Sequence, residues 1–467
     1  MTPQKGKKFR TSAAAERVEQ LQVTHPNAAG IDVHSAVHFV AVNSVDVPEG
    51  FVPDDPQLPK GVRKFGAFTC DLEALAAWLK DCHVKTIAME STGVYWIALY
   101  ELLERQGFTV ILVDPRQTKH APGRPKSDVL DCQWIQRLHS YGLLTASFRP
   151  SDKVVVWRGY QRQREMLIRY AAQHVQHMQK AMEEMNVKLT EVVSDIVGLT
   201  GMKIIKDILR GVRDPLKLAK HRHDRCHASE AEIARSLYGN WREEHLFALK
   251  QAVQMYEFYH RQLRDCDAKI EACLRAFADK SGGEVLTPKP RRQRGNAVTF
   301  DARTLLFNLA GVDLTVIEGI SELTALTILS EIGTDLSRFP SEKNFVSWLG
   351  LCPNHRGSAG KIFNRRVRKG ANRAARALRL AGQACHHAKN ALGAFYRRVQ
   401  ARCGGPKAVV ATARKIAERV YRLLKYGEEY VRQGEKAYEE AYRVRTLKGM
   451  ARKAESLGYK LTPIMTQ

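Results

Sequence analysis

The sequence lacks the features of a secreted, membrane-spanning or disulfide-bonded protein. No apolar run approaches the roughly 20 residues that a membrane-spanning helix needs. Residues 1–10 form a basic, polar tail where a secretory signal would stand. The nine cysteines include no C-x-x-C pair, which argues against a zinc ribbon and a disulfide framework. We therefore expect a cytoplasmic protein with reduced thiols.

Acidic residues are scarce relative to basic ones. With 74 Lys and Arg against 49 Asp and Glu, the formal net charge is +25 and the isoelectric point about 9.7. An excess of this sign attracts polyanions, so nucleic acid is the expected partner. At 467 residues the chain exceeds one ordinary core, which predicts two or three domains.

Two of the acids, Asp128 and Asp131, stand three residues apart behind Ser127. Ser127 is a good N-cap, so a helix is predicted to begin here and to end near Gly142. Residues three apart are neighbours on a helix, so both carboxylates should lie on one side of its first turn. Like charges this close repel unless a cation such as Mg²⁺ lies between them. An acidic helix N-terminus stabilised by the helix dipole is the alternative. Apolar residues at helical spacing predict that the opposite side is buried: Leu130, Trp134 and Leu138.

Residues 27–150 have the pattern of an α/β domain. Two further acids occupy strand positions, Asp32 within the first strand and Glu90 at the end of the fourth, where a carboxylate is costly unless it is paired or binds a metal. Carboxyl ends of strands are also where open α/β sheets bind ligands. The predicted elements are strands at 29–33, 39–42 and 62–68, a helix at 71–81, a strand at 84–89, a helix at 94–106 and a strand at 108–113.

This order of elements is that of the RNase H-like nuclease fold. The four acids would then form a RuvC-like DEDD site that can hold two divalent ions around a scissile phosphate. The members of this site are Asp32, Glu90, Asp128 and Asp131.

The remainder of the chain is predicted to be mostly helical. Long helical patterns at 154–193 and 228–277 indicate a coiled-coil arm. The arginines of the first pattern, Arg158, Arg162, Arg164 and Arg169, could follow a phosphate backbone or form a solvated face. A His- and Cys-rich cluster could bind a metal by composition, although its spacing matches no closed zinc pattern: His221, His223, Cys226 and His227. The predicted divisions are a basic tail at 1–26, the arm at 151–285, a basic linker at 286–300, a C-terminal domain at 301–450 and a tail at 451–467.

The C-terminal domain carries the strongest basic segment. Between Arg356 and Arg379 there are nine basic residues and no Asp or Glu. Ser358 stands among small residues where the backbone could approach DNA and its hydroxyl could attack phosphorus; a turn residue is the alternative. Residues 316–326 look like a helix-hairpin-helix, whose exposed amides suit a phosphate. The residues predicted to contact nucleic acid are Lys126, Gly319, Ser321, Arg356, Lys361, Arg365, Arg366, Arg368, Lys369 and Arg373.

Together these motifs resemble the DEDD transposases of bacterial insertion sequences (insertion sequence 110/1111 type), a family of bridge-RNA-guided serine recombinases. The N-terminal similarity lies in GIDVH at 30–34, ESTGVY at 90–95 and KSDVLD at 126–131. The C-terminal similarity lies in IEGI at 317–320, WLGL at 348–351, SAGK at 358–361 and KGANR at 369–373.

The resemblance implies an RNase H-like (RuvC-like) domain joined by the arm to a transposase domain, with a composite site between them. It implies that Ser358 forms a transient phosphoserine bond to DNA while the four acids hold Mg²⁺ or Mn²⁺. A non-coding bridge RNA would pair with donor and target DNA, so that base pairing selects the sequence. It also implies a homo-oligomer, a dimer or a dimer of dimers, associated with the bacterial nucleoid.

Two other functions fit the same residues. One is a RuvC-like nuclease or junction resolvase in which water attacks the phosphate and Ser358 is dispensable. The other is a non-catalytic nucleic-acid-binding protein that uses only the basic surface.

Overall fold

The structure, a computed structural model, forms two compact units, an N-terminal unit (Met1–Arg149) and a C-terminal unit (Pro150–Gln467). None of the helices it describes is long and apolar enough to cross a membrane. It describes residues 22–49, 55–118, 127–289, 295–353, 356–358, 361–364, 367–368, 370, 372–427, 440, 443–444 and 446–462.

The N-terminal unit contains a five-stranded sheet in the order β3-β2-β1-β4-β5. The strands β1, β2 and β3 are antiparallel neighbours, whereas β4 and β5 continue the sheet parallel to β1. This mixed sheet is compatible with the predicted RNase H-like fold. Its strands are β1 (Ala28–Val33), β2 (Val37–Ala41), β3 (Val62–Gly66), β4 (Thr86–Glu90) and β5 (Thr109–Val113), and its helices are α1 (Thr69–Asp81), α2 (Trp96–Arg105), α3 (Pro115–Thr118) and α4 (Asp128–Ser140).

The two faces of β1 serve different purposes. Side chains alternate across a strand, so Ile31 and its odd-numbered neighbours face one side while Gly30 and Asp32 face the other. The first side packs on α1 and α2 in an apolar core with members such as Leu75 and Leu99. The second side lies under α4. The sheet therefore directs Asp32 toward the helix that carries Asp128 and Asp131.

A buried histidine gives the N-terminal unit a pH-dependent stability. His139 on α4 is 2% exposed, and its Nε2 lies 2.9 Å from the hydroxyl of Thr86. Burial, and secondarily the nearby His25, lower the pKa of His139 from 6.5 to about 4. Because the unfolded chain binds a proton that the folded chain excludes, this stability is complete above pH 6.5 and is lost as the pH falls toward 4.

We expect the free energy of unfolding of the full chain to fall by up to about 3 kcal/mol over this pH window through His139 alone. In His139→Gln, whose amide can still bond Thr86, the decline should be shallower. Urea unfolding between pH 7.5 and 4.5 measures both slopes. Parallel curves for the two proteins would contradict the assignment to His139.

The C-terminal unit begins with two long antiparallel helices, α5 (Asp152–Glu184) and α10 (Glu243–Arg275), each of 33 residues. Ring contacts between Tyr170 and Tyr259, 5.7 Å apart, and between Trp157 and Phe277 show their opposite directions. Between them, four short helices pack with both long helices around a second apolar core. These are α6 (Leu189–Val192), α7 (Leu199–Leu209), α8 (Pro215–Ala219) and α9 (Glu230–Ser236).

The predicted helices at 154–193 and 228–277 are thus each interrupted. Asn186 and Trp241 adopt positive φ angles of 57° and 50°, which a continuous right-handed helix does not allow. In the same region His221 Nε2 lies 2.6 Å from Asp207, and His223 Nδ1 accepts the backbone N–H of Arg225. Within the described ranges, this His- and Cys-rich segment brings no three potential ligands together.

Three arginines on α5 act within the C-terminal unit. Arg158 donates to the carbonyl oxygens of Ser330 and Glu331, and Arg162 forms a two-bond ion pair with the Glu331 carboxylate. Arg164 is 2% exposed and pairs with Asp267 on α10. Arg158 and Arg164 therefore form neither a phosphate-tracking row nor a solvated face, because they join α5 to the rest of its own unit. Arg162 is exposed, as on a solvated face, and still pairs with Glu331.

Among its described residues, the rest of the C-terminal unit is helical apart from one hairpin. Its helices include α11 (Ala302–Ala310), α12 (Glu322–Ile332), α13 (Glu342–Trp348), α14 (Arg373–Ala384), α15 (Ala391–Cys403) and α16 (Gly405–Tyr426), with 3-10 turns at Leu314–Val316 and Cys385–His387. Residues 446–456 are also helical. The hairpin pairs β6 (Arg356–Ser358) with β7 (Lys361–Asn364).

Candidate active site

The site is built at one edge of the N-terminal sheet, where β1 and β4 end side by side. Ile31 pairs in parallel with Met89, and Asp32 and Glu90 follow these two residues. Because paired residues share a face, the two carboxylates emerge on the same side of the sheet. That side is covered by α4, so sequence-distant acids meet there.

Gly30 allows α4 to lie directly on β1. A Cβ atom at this position would be 2.2 Å from the backbone nitrogen of Gln136 and 2.5 Å from the carbonyl oxygen of Cys132. Both atoms belong to the helix backbone and cannot move without moving α4. The glycine therefore sets the distance between the strand that carries Asp32 and the helix that carries the other two aspartates.

We expect Gly30→Ala to cost about 1–3 kcal/mol of stability, as overpacking does, and to displace α4 from β1. The measurement is urea unfolding together with divalent-ion-dependent DNA cleavage. Gly159→Ala on α5 is the matched control, because a Cβ there meets no atom within 4 Å. Full activity and stability in Gly30→Ala would show that this contact does not determine the position of α4 on β1.

Helix α4 carries its acids at the start of the stripe that packs on the sheet, with Asp131 partly buried and Asp128 exposed. As predicted, Ser127 caps the helix, since its hydroxyl accepts the backbone N–H of Leu130 at 3.3 Å. The predicted buried face was wrong: Leu130, Trp134 and Leu138 are only partly buried. The buried residues are Cys132, Ile135, His139 and Ser140. Three of them follow Asp128 and Asp131 at helical spacing, so the acids continue the stripe that packs on the sheet.

A histidine joins the acids. His34 Nε2 lies 3.1 Å from Asp32 Oδ2 and 3.6 Å from Asp128 Oδ1, and the three donor atoms lie within 4.8 Å of one another. Glu90 and Asp131 are close enough for their charges to act on Asp32. The other three predicted acids therefore lie around Asp32.

The electrostatics of Asp32 suit a cation. Asp32 is 8% exposed, and this burial raises the pKa of its carboxyl. His34 opposes the rise, whereas the negative charges of Glu90 and Asp131 add to it. A divalent ion would relieve both the burial cost and the repulsion. Carboxylate oxygens are the donors that Mg²⁺ and Mn²⁺ prefer, so the residues fit the implied ions.

Two threonines that the sequence did not identify hold Glu90. The hydroxyl of Thr92 lies 3.0 Å from Oε1, and that of Thr118 lies 2.8 Å from Oε2. Thr118 is 5% exposed and lies on α3, 28 residues beyond Glu90. Such hydrogen bonds orient a carboxylate before it binds an ion. Thr92 lies two residues after Glu90, which weakly indicates a contact with it, whereas nothing in the sequence linked Thr118 to the site.

Ser358 is the last residue of β6, where it pairs with Lys361 across a two-residue connection. The predicted loop is thus a hairpin, and for Ser358, Arg356 and Lys361 the structure describes the backbone alone. The roles of these three side chains remain predictions.

The other predicted nucleic-acid contacts have varied settings. Gly319 has a φ of 88°, and a Cβ there would lie 2.7 Å from the carbonyl oxygen of Ala381. Ser321 caps α12 by accepting the backbone N–H of Thr324. Of the predicted helix-hairpin-helix, the first helix is the three-residue 3-10 turn, and the binding role remains a prediction.

Among the basic residues, Arg373 is partly engaged within the chain. Its guanidinium lies 2.5 Å from the carboxylate of Glu165, whereas Arg368 is exposed. The remaining predicted contacts lie outside the described residues: Lys126, Arg365, Arg366 and Lys369.

Comparison with known families covers both parts of this arrangement. Residues 29–187 match a family model for IS110 DEDD transposases, described as Transposase. Residues 313–397 match a second model, described as Transposase IS116/IS110/IS902 family. Together they span just over half of the chain. The chain belongs to the IS110-type transposases. No curated protein matches it.

Each match contains one half of the predicted chemistry of this IS110-type transposase. The first contains the four acids and His34, and the second contains the β6–β7 hairpin with Ser358. Membership of this family makes the chain an insertion-sequence transposase, a DNA-binding enzyme that cleaves DNA in recombination. The DEDD type of the family also indicates the use of a divalent metal.

Proposed function

We propose that this transposase cleaves and rejoins DNA through a phosphoserine intermediate on Ser358, assisted by Mg²⁺ or Mn²⁺ at the DEDD site. The observation that supports it most is the convergence of three carboxylates on the buried Asp32. Carboxylates that are buried and close together repel one another, which destabilises the folded protein. Cations bound between them would offset this repulsion. The residues that would hold the ions are Asp32, Glu90, Asp128 and Asp131.

The proposed step exchanges one phosphodiester bond for another. The Ser358 Oγ forms a bond to phosphorus while the bond from phosphorus to the leaving deoxyribose oxygen breaks. The serine proton passes to solvent, and the leaving oxygen takes up a proton. Bound divalent ions would neutralise the charge that develops on the phosphate and leaving oxygen. A hydroxyl of a second strand then attacks the phosphoserine and releases Ser358, so rejoining needs no external energy source.

The composition around Ser358 supports the same step. The nine basic residues from Arg356 to Arg379, without an acid among them, would attract the DNA backbone. Ser358 ends its strand, and the small residues around it in the sequence are those that would let the backbone approach DNA closely. An adjacent cation would also favour the serine alkoxide that attacks phosphorus.

The test of this proposal is a covalent protein–DNA band. Purified protein, DNA from the element's ends, its flanking transcript and Mg²⁺ are resolved on a denaturing gel. We expect a shifted band that disappears in Ser358→Ala and in Asp128→Ala but persists in Ser347→Ala, a control serine exposed on α13. Cleaved ends without a shifted band, retained in Ser358→Ala, would mean that water attacks and that the enzyme acts as a RuvC-like nuclease.

Guidance by a non-coding bridge RNA is the further part of the proposal, and it rests on the family resemblance alone. In this scheme the RNA pairs with donor and target DNA, and a homo-oligomer supplies the active sites. Recombination should stop after ribonuclease treatment of an active preparation. It should return when the flanking transcript is added back. Recombination that continues without RNA would remove guidance and leave the serine chemistry in place.

A further inference from the structure

The imidazole of His34 is the least explained part of the acid site. The DEDD chemistry uses four carboxylates, yet Nε2 of His34 is the atom that lies between Asp32 and Asp128. No other three His, Cys, Asp or Glu side chains in the described ranges converge in this way. We therefore expect His34 to have a function in the site that the four carboxylates do not provide.

The separations around His34 match those of neighbouring ligands on one ion. Metal–ligand bonds of about 2.1 Å place adjacent ligand atoms about 3.0 Å apart at right angles and about 3.4 Å apart in a tetrahedron. The observed 3.1 Å to Asp32 and 3.6 Å to Asp128 are close to this range. A hydrogen bond explains the first distance, but the second exceeds hydrogen-bond length. One ion bound by the three groups would account for both distances.

The fold holds His34 in place for this role. Its backbone N–H donates to the carbonyl oxygen of Val37 at 3.2 Å in the turn between β1 and β2. Its ring lies edge-on to Phe39, with centroids 6.3 Å apart. The side chain is 40% exposed, so an ion can reach Nε2 from solvent without displacing the core.

We propose that His34 is a nitrogen ligand of the ion held by Asp32 and Asp128, and that it makes the site prefer Mn²⁺ to Mg²⁺. The inference rests on the proposed function, because it requires that the acids bind a divalent ion. Mg²⁺ keeps mainly oxygen ligands and water, whereas imidazole nitrogen is a common ligand of transition metals. The four carboxylates alone would not produce this preference.

The deciding experiment uses Mn²⁺ as the probe of the full-length protein. Electron spin-echo envelope modulation of bound Mn²⁺ detects a directly coordinated ¹⁴N nucleus. We expect this signal in the unmodified protein and its loss in His34→Ala. The signal should survive in His25→Ala, the matched control, because His25 contacts His139 at the opposite end of α4.

Binding measurements give the second readout. Mn²⁺ affinity should fall by roughly 10-fold or more in His34→Ala, the scale of losing a group that supports a metal, while Mg²⁺ affinity falls less. His34→Asp, which supplies oxygen, should recover affinity without the nitrogen signal and should move the preference toward Mg²⁺. This separates a ligand from a residue that only fills space.

The outcomes distinguish this inference from the proposed function. Mn²⁺ that binds through Asp32 without a nitrogen signal would overturn the role of His34 and leave the DEDD site intact. Under that result His34 only hydrogen-bonds Asp32. No Mn²⁺ binding, or binding unchanged in Asp32→Asn, would overturn the metal centre of the proposed function together with this inference.

Discussion

Asp32→Asn is expected to abolish DNA cleavage and, in the absence of divalent ions, to make the protein more stable. Burial raises the pKa of the Asp32 carboxyl, and Glu90 and Asp131 raise it further. Such a carboxyl contributes full stability below its unfolded pKa of 3.8, and this contribution is lost as the pH rises through the higher folded value. At neutral pH the charged Asp32 therefore lowers the free energy of unfolding, and asparagine removes this destabilisation.

The loss of activity follows from the same position. Asp32 is the carboxylate around which the other three converge, and an amide neither carries charge nor binds Mg²⁺ as strongly. We expect the rate of strand cleavage to fall by roughly 10³-fold or more, comparable to removing a main electrostatic group from an active site.

Two unfolding measurements test the expected gain of stability without divalent ions and the expected loss of stabilisation by Mg²⁺. Unfolding of the full chain without divalent ions, at pH 7.5, should have a higher midpoint in Asp32→Asn than in the unmodified protein. Added Mg²⁺ should stabilise the unmodified protein and leave the variant almost unchanged. Asp152→Asn, at the start of α5, is the control outside the site. A variant that is less stable without Mg²⁺ would show that the Asp32 charge is already compensated within the chain.

The sheet and the four acids were predictable because their signals are local. Short runs of β-forming residues marked β1 and β4, and the three-residue spacing behind Ser127 marked the start of α4. The face of α4 was not predictable from its own sequence. Leu130 and Trp134 are more apolar than Cys132, but contact with β1 at Gly30 decides which side is buried. Tertiary packing overrode the helical pattern.

The supporting residues were missed for a related reason. Thr118 and His34 act through contacts that the fold creates, Thr118 with Glu90 across 28 residues and His34 with Asp128 on α4. His34 belongs to the GIDVH motif, but the motif gave it no role of its own. The arginines of α5 illustrate the same limit, since a charged residue in a helical pattern does not reveal whether its partner is a phosphate or a carboxylate. Arg164 is the clearest example.

Arg164→Met is expected to produce the largest loss of stability in the C-terminal unit. Arg164 Nε lies 2.5 Å from Asp267 Oδ1, and the two side chains are 3% and 2% exposed. The pair also holds the chain before α11, because Arg164 donates to the carbonyl oxygen of Asn296 and Asp267 accepts the backbone N–H of Thr299. Methionine would leave the Asp267 charge buried without its cation, which costs about 3–5 kcal/mol.

Urea unfolding of matched variants separates charge from packing. Arg169→Met, an exposed arginine on the same helix, should change stability by only about 0.5 kcal/mol. The double variant Arg164→Met/Asp267→Leu should recover much of the loss, because replacing both members of a buried ion pair removes the unpaired charge. It should not recover all of it, since Asn296 and Thr299 lose their partners. If the double variant is as unstable as Arg164→Met, the contacts to those two residues, and not the charge of Asp267, account for the effect.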